Sequence, residues 1–415
     1  MTSAVLLGAA LLAAAGGLGG GETLQRALDA GGVVEIPAGV WEVAPRRGTD
    51  APMLSIRGGT TLRCAPGAVI RLRDGAFGHG ETLNEARMLA NIDVGGRVLD
   101  GTDIRIEGCT FDGNDRGNGD PSTGSPELIT CVRCERFVVR DSVLQDVTYQ
   151  GVATYLGAGH VVERNRLHGV AQTHNADAIQ LNGGRDVRIT GNTCANCSEA
   201  FVVQHATGRD GAAAHGAVIA DNTAVGLAAD AACRGAGAPF ACCEGPRRGS
   251  GRDLCAAGRA VGSSIIVVAE DVVVRGNTVR NANQISVQAG RGFPVRRVLV
   301  EENLVLGGRA NGILLYAIAG VPALDDVVVQ GNEVRGVAAS GVQLRGIARG
   351  VVVIDNTLAD NCARGACATG VLVGDGVERL VLQANRITVR PGSGPAIVRG
   401  EVPRSARARG VPPRS

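Results

Sequence analysis

The sequence predicts an all-β fold, a parallel β-helix in which one chain winds into a solenoid of stacked coils. Three observations predict it. A phrase of Val, Ile or Leu, then a small or acidic residue, then Asn recurs along the chain. It reads HVVERN at Asn165, VRITGN at Asn192, VIADN at Asn222, VVVRGN at Asn277, VLVEEN at Asn303, VVVQGN at Asn332, VVVIDN at Asn356 and LVLQAN at Asn385. Most steps are 24 to 30 residues, and a fixed period of that size marks one supersecondary unit stacked many times. Each repeat has short β-branched runs separated by Gly, Asn and Asp, which reads as strand, turn, strand, turn, with no convincing helix.

A coil of two or three short strands cannot bury its apolar side alone, but stacked coils can. The recurring Asn fits a stacked turn position, where side-chain amides bond along the axis. The 55-residue step from Asn222 to Asn277 reads as about two periods with a cysteine-rich segment inside. A leucine-rich repeat would need a Leu-rich consensus, which is absent, and propeller blades need longer units.

The elements follow in order. Ala4 to Ala15 form an apolar stretch before a run of glycines, with Ala13-Ala14-Ala15 resembling a small-residue cleavage site. Residues 1–15 are expected to be a signal peptide, and the stretch is too short to span a bilayer well. Residues 22–31 (ETLQRALDAG) place Leu24, Ala27 and Leu28 on one helix face. A helix there would cap the open end of the first coil. GGVVEIPAGVWEV and TTLRCAPGAVIRL each read as strand, turn, strand, and IRIEGCTFDGN follows with the turn Asp112-Gly113-Asn114. The β-helix domain is expected over residues 16–400, with the insertion at 226–262. The basic, Pro-rich tail 401–415 is expected to be disordered.

These opening segments closely resemble the pectin lyase-like superfamily. They are the helix before Gly31-Gly32, the IPAGVWEV and TLRCAPGAVIRL runs, and the FDGN turn. The resemblance covers nearly the whole chain and implies that the β-helix is right-handed. It says less about activity, because one fold hosts many functions.

Composition narrows the function. Net charge is +2, so no strong field for nucleic acid is expected. All basic residues are Arg, which removes Lys as base or nucleophile. The twelve Cys support export to a secreted or periplasmic location. The close pairs Cys131/Cys134, Cys194/Cys197 and Cys362/Cys367, with Cys233, Cys242, Cys243 and Cys255 in the insertion, read as disulfide staples more readily than as zinc ligands.

Aligning the coils by their Asn gives a register. The first strand of each coil then starts at Glu127, Gln150, Asp177, Glu199, Ser263, Asn283, Asn311, Ser340 and Thr369, which should line one face. Paired strands sit about 4.8 Å apart, which makes Asp177 and Glu199 neighbours. Two such carboxylates can raise one pKa, hold calcium, or act as an acid and a nucleophile. His174 and His205 flank the pair in sequence, and Gln180 and Gln204 fall in the same two segments. The long stretches after Glu199 and in the insertion suggest a walled cleft there.

NADAI, with SEAF following, resembles the polygalacturonase-type glycoside hydrolases of the superfamily. The resemblance implies that Asp177 takes the place of the first catalytic Asp and Glu199 that of the second of a pair, with Ser198 where the general acid stands. No Gly-His-Gly follows Glu199, and Arg-Ile-Lys is absent. The pectate lyases and alginate epimerases share the fold, and likeness to them implies proton abstraction beside a neutralised uronate carboxylate. With one Trp, three Tyr and six Phe, a cleft of Arg and carboxylates suits uronate units better than neutral sugars. Tyr149, Arg291 and Arg345 are the further candidates to bind them. The expectation is an exported monomeric enzyme acting on a polysaccharide by lyase, epimerase or hydrolase chemistry, with Asp177, Glu199, His174 and His205 as catalytic candidates. The competing expectation is a non-catalytic adhesin or polysaccharide-binding β-helix.

Overall fold

The computed structural model describes residues 20–399, apart from 46–50, 77–85, 119–125, 148, 171–176, 196, 198, 206–211, 227–263, 291, 309, 318–322 and 363–366. The expected signal peptide, all of the cysteine-rich insertion beyond Gly226, and the C-terminal tail lie outside the described residues.

Three parallel sheets of 14, 12 and 12 strands make up the fold. Each coil gives one side to each sheet, and each strand pairs with its counterpart one coil away. In one coil, Arg188–Thr190 lies in the first sheet, Thr193–Ala195 in the second and Glu199–Gln204 in the third. The interior is filled by side chains in register. Ile179, Phe201, Ile265, Ile285 and Ile313 are successive partners in the third sheet, all fully buried.

The Asn-marked turn joins the first sheet to the second. Asn303 Nδ2 donates to Val274 O and to Asn332 Oδ1, both at 2.9 Å, and the Asn303 N–H donates to the same Asn332 oxygen at 3.0 Å. The pattern repeats from Asn165 to Asn385. Each buried amide thus satisfies groups that would cost about 1–3 kcal/mol if orphaned. The residue before each Asn adopts a left-handed conformation: φ is 65° at Gly191, 56° at Asp221, 62° at Gly276 and 53° at Glu302. That requirement explains the recurring Gly and Asp, which tolerate positive φ better than β-branched residues.

Two features of the ladder differ from expectation. It begins earlier than the repeated phrase shows, because the Cys109 N–H donates to Ser142 Oγ and the Ser142 N–H to Asn165 Oδ1. The 55-residue step is also one coil, not two: Asn222 bonds directly to Asn277. The cysteine-rich segment is inserted within that coil.

Helix α1 (Gly20–Ala30) caps the N-terminal end, with Leu24 and Leu28 fully buried against the first coil. Gln25 behaves like an extra strand residue. Its Oε1 accepts the Ser55 N–H at 2.7 Å, and its Nε2 donates to Ser55 O at 3.1 Å, which covers an exposed sheet edge. Disulfides join Cys131–Cys134, Cys194–Cys197 and Cys362–Cys367 as the spacing suggested. A fourth, Cys64–Cys109, ties together two successive coils.

Candidate functional site on the third sheet

The strand starts of the third sheet fall in the expected register. Arg87 pairs with Glu127 and Asp177 with Glu199. Val152 pairs with both Ile129 and Ile179, which sets Gln150 between Glu127 and Asp177. The strip continues through Asn283, Asn311, Ser340 and Thr369. Ser263 lies outside the described residues. Glu127 and Asp177 are 3% and 4% exposed, whereas Glu199 is half-buried.

The neutral end of the strip is structural. The Asn283 N–H donates to Ser264 Oγ, the Ser340 N–H to Asn311 Oδ1 and the Ala368 N–H to Ser340 Oγ, each at 3.1 Å. Thr369 Oγ1 donates to Gly394 O at 2.7 Å. These residues form a second polar ladder along the axis.

At the acidic end Glu127 is saturated. Thr130 Oγ1 donates to its Oε2 at 2.5 Å, Tyr155 OH donates to its Oε1 at 2.9 Å, and Arg87 Nε lies 3.4 Å from Oε2. Burial, then the Glu127 charge and its hydrogen bond, push the Tyr155 phenol far above its usual pKa. Tyr155 therefore holds its proton at any ordinary pH. Tyr155, expected near the cleft, meets Glu127 through register, across 28 residues of chain. On the outer face, Gln150 Nε2 donates to Gln180 Oε1 at 2.5 Å and Gln204 Nε2 to Asn182 Oδ1 at 2.7 Å. These pairs bridge neighbouring coils. Gln150 Oε1 is buried and lacks a partner among the described residues.

The structure does not bring His205 to the carboxylates. It lies just past the far end of the Glu199–Gln204 strand, about 20 Å along at ~3.3 Å per residue. Its Nδ1 accepts the Ala214 N–H at 2.8 Å, its Nε2 lies 3.0 Å from Pro294 O, and its ring packs on Phe293. An acceptor Nδ1 leaves the proton on Nε2, so the ring is neutral and fixes two loops. Burial lowers its pKa further. His174 and Arg291 lie outside the described residues. Tyr149 is half-buried against the core, and Arg345 ends its strand with its guanidinium 5.3 Å above the Tyr316 ring.

No group of three or more His, Cys, Asp or Glu suited to a metal occurs among the described residues. The eight described Cys in the close pairs and the Cys64–Cys109 bridge are spent in disulfides. Calcium takes six to eight oxygen ligands, so Asp177 and Glu199 would need most of a calcium shell from water or from a bound substrate. No helix among the described residues is long and apolar enough to cross a membrane.

Three parallel sheets, an Asn-stacked turn and a capped N-terminal end define a β-helix protein. The family described as "Right handed beta helix region" matches residues 79–237, and no curated protein matches the chain. Among solved structures, the chain is similar to a hyperthermoactive exopolygalacturonase from Thermotoga maritima. They share 12% identity and a TM-score of 0.62, over 88% of this chain and 87% of that one. It is similar to the surface adhesin PfbA of Streptococcus pneumoniae at 14% identity and a TM-score of 0.63, over 92% and 96%. It is similar to the tailspike protein of E. coli bacteriophage HK620 at 14% identity and a TM-score of 0.56, and spans 61% of that chain. The fold is a right-handed parallel β-helix.

Proposed function

We propose that the protein is an exported, carbohydrate-active β-helix that acts on a carboxylated polysaccharide at the acidic strand starts of the third sheet. The observation that carries this reading is the direct pairing of Asp177 with Glu199. Adjacent strands are about 4.8 Å apart, close to the roughly 5–5.5 Å of a retaining acid–nucleophile pair. One carboxyl would protonate the leaving oxygen while the other attacks the sugar or steadies its developing charge. The similarity to an exopolygalacturonase supports a sugar substrate, and four disulfides support an oxidising compartment.

The test is a screen of uronate polysaccharides that follows reducing ends and unsaturated products, with and without chelator. Asp177→Asn or Glu199→Gln is expected to cut turnover at least ~100-fold, in line with loss of an acid–base group, with melting temperature little changed. If the pair instead binds calcium beside a uronate, chelator abolishes activity in the wild type and added metal restores it. Full activity in the double variant removes this site.

A second reading, a non-catalytic polysaccharide-binding or adhesive β-helix, is favoured by one observation: His205 is fixed by hydrogen bonds within the fold. It predicts salt-sensitive glycan binding with no turnover. The similarity to PfbA supports it.

A further inference from the structure

The outer surface of the first sheet carries a groove of about 460 Å³. Arg105, Val138, Val161 and Arg188 are successive register partners across it. Three strand steps separate the two end arginines, about 14 Å at ~4.8 Å per step. Half-buried Val138 and Val161 form the floor between them. Arg136 and Arg140, two residues before and two after Val138, flank this floor from opposite sides.

Two of the four guanidiniums are held in place. Arg136 makes a bidentate pair with Asp103, both bonds at 2.7 Å, and Arg140 Nη2 donates to Glu107 Oε1 at 2.6 Å. Each guanidinium has five N–H donors, so both keep donors for a ligand. Arg105 and Arg188 are exposed and make no salt bridge among the described residues. The acid in the groove, Glu163, is engaged by Arg164 at 2.9 Å. The groove is therefore a cationic frame around an apolar strip, open to solvent, on a different sheet from Asp177 and Glu199.

We propose that this groove is a second binding site for a carboxylated glycan chain. The chain lies along the helix axis with sugar C–H faces on Val138 and Val161. Its carboxylates meet Arg105 at one end and Arg188 at the other. Bidentate geometry suits Arg to carboxylates, and the aliphatic floor accepts a sugar face without an aromatic ring. A neutral chain would leave Arg105 and Arg188 without their partners. The proposal shares with the proposed function only the class of glycan and requires no catalysis.

The experiment uses the full chain carrying Asp177→Asn and Glu199→Gln, so that no turnover confuses the measurement. Oligogalacturonate and its methyl ester are the probes, read by calorimetry and by hydrogen exchange. Binding of the acid form is expected, weakened at least tenfold by Arg105→Ala with Arg188→Ala and weakened by salt. Exchange protection is expected across 136–140, 159–163 and 188–190. The ester is expected to bind at least tenfold more weakly than the acid. Unchanged affinity in the arginine variant, or protection confined to the third-sheet strand starts, would overturn the proposal. The first of these outcomes leaves the Asp177–Glu199 reading untouched, because that reading is tested by turnover in the parent chain.

Discussion

The side-chain oxygen of Asn277 accepts both the main-chain N–H and the side-chain amide of Asn222, at 3.0 Å each, although 55 residues separate them. The strands on either side step by one coil as well: Ala217 pairs with Val272, Thr223 with Thr278 and Phe201 with Ile265. All three sheets therefore cross the cysteine-rich insertion without losing a rung. Shortening an inserted loop changes closure entropy only by about 0.6 kcal/mol per halving.

Excising about 27 residues from 227–263 is thus expected to leave the fold intact, because the step returns to the length of its neighbours at 30 and 26 residues. Circular dichroism should show an unchanged β signal and one cooperative melt within a few degrees of the parent. Loss of cooperative unfolding would show that the insertion forms part of the coil.

The ladder predicts a positional gradient in stability. Asn303 is 1% exposed and its side chain serves Val274, Asn277 and Asn332. Asn303→Ala orphans several buried groups and is expected to cost about 3 kcal/mol or more, at 1–3 kcal/mol per orphan. Asn385, the last of the series, is half-buried, and water can replace its bonds to Asn356 and Val353. Asn385→Ala should cost clearly less in the same denaturant titration. Equal costs would show that burial does not set the value of the amide.

The architecture was legible because one turn repeats its chemistry. A left-handed residue followed by a stacking amide leaves the same mark in coil after coil. The strand starts from Glu127 to Thr369 were legible for the same reason, since the Asn positions fix the register. What the sequence hid is what register alone decides. Ser142 and Cys109 continue the ladder without an amide, so the pattern seemed to start at Asn165. Cys64 meets Cys109 only across coils. His205 lies only six residues after Glu199 in the chain, yet the extended strand carries it to the far end, where its ring meets Ala214 and Pro294. Tyr155 joins Glu127 from the next coil. An insertion also resembles an extra period when only its length is visible.

Disulfides should differ in value with the loop they close. Cys64–Cys109 spans 45 residues, against three for Cys194–Cys197. In the chain-entropy treatment a loop of that size stabilises by up to about 4 kcal/mol. The Cys64→Ala, Cys109→Ala variant is expected to lose several kcal/mol in denaturant unfolding, and the Cys194→Ala, Cys197→Ala variant much less. The reverse order would refute the loop-length argument here.

Acid should destabilise the fold first through histidine. Burial, the leading cause in each case, holds His160, His168 and His205 below the ordinary imidazole value of 6.5. Below pH 6.5 the unfolded chain takes up protons that these rings resist in the folded state. Their contribution is therefore complete above pH 6.5 and is lost as pH falls through the lowered folded values. Melting temperature is expected to fall between pH 7 and pH 5, before the carboxylates titrate. A His205→Gln variant, whose amide can serve the same two loops, should show a shallower fall. An unchanged slope would show that His205 protonates freely in the folded protein.

Glu127 is expected to be an anchor of the site, not its acid. Its two oxygens are taken by Thr130, Tyr155 and Arg87, and it is nearly fully buried. Glu127→Gln keeps the shape and removes the charge, so bonds to an ionised group are lost at about 1.5–3 kcal/mol. The Tyr155 phenol should respond as well. Burial is the larger cause of its raised pKa and the Glu127 charge the next. The variant should therefore lower the tyrosinate midpoint, read by ultraviolet absorbance, while leaving it above the ordinary value of 10. A double-mutant cycle of Glu127→Gln with Tyr155→Phe should give a coupling of at least about 1 kcal/mol, as for residues in one hydrogen-bonded network. A coupling near zero with an unmoved phenol would mean that Glu127 is solvated and free to act on substrate. In that case the catalytic pair would have to be sought between Glu127 and Asp177, two strand steps or about 9.6 Å apart, at the upper limit of the spacing for an inverting reaction.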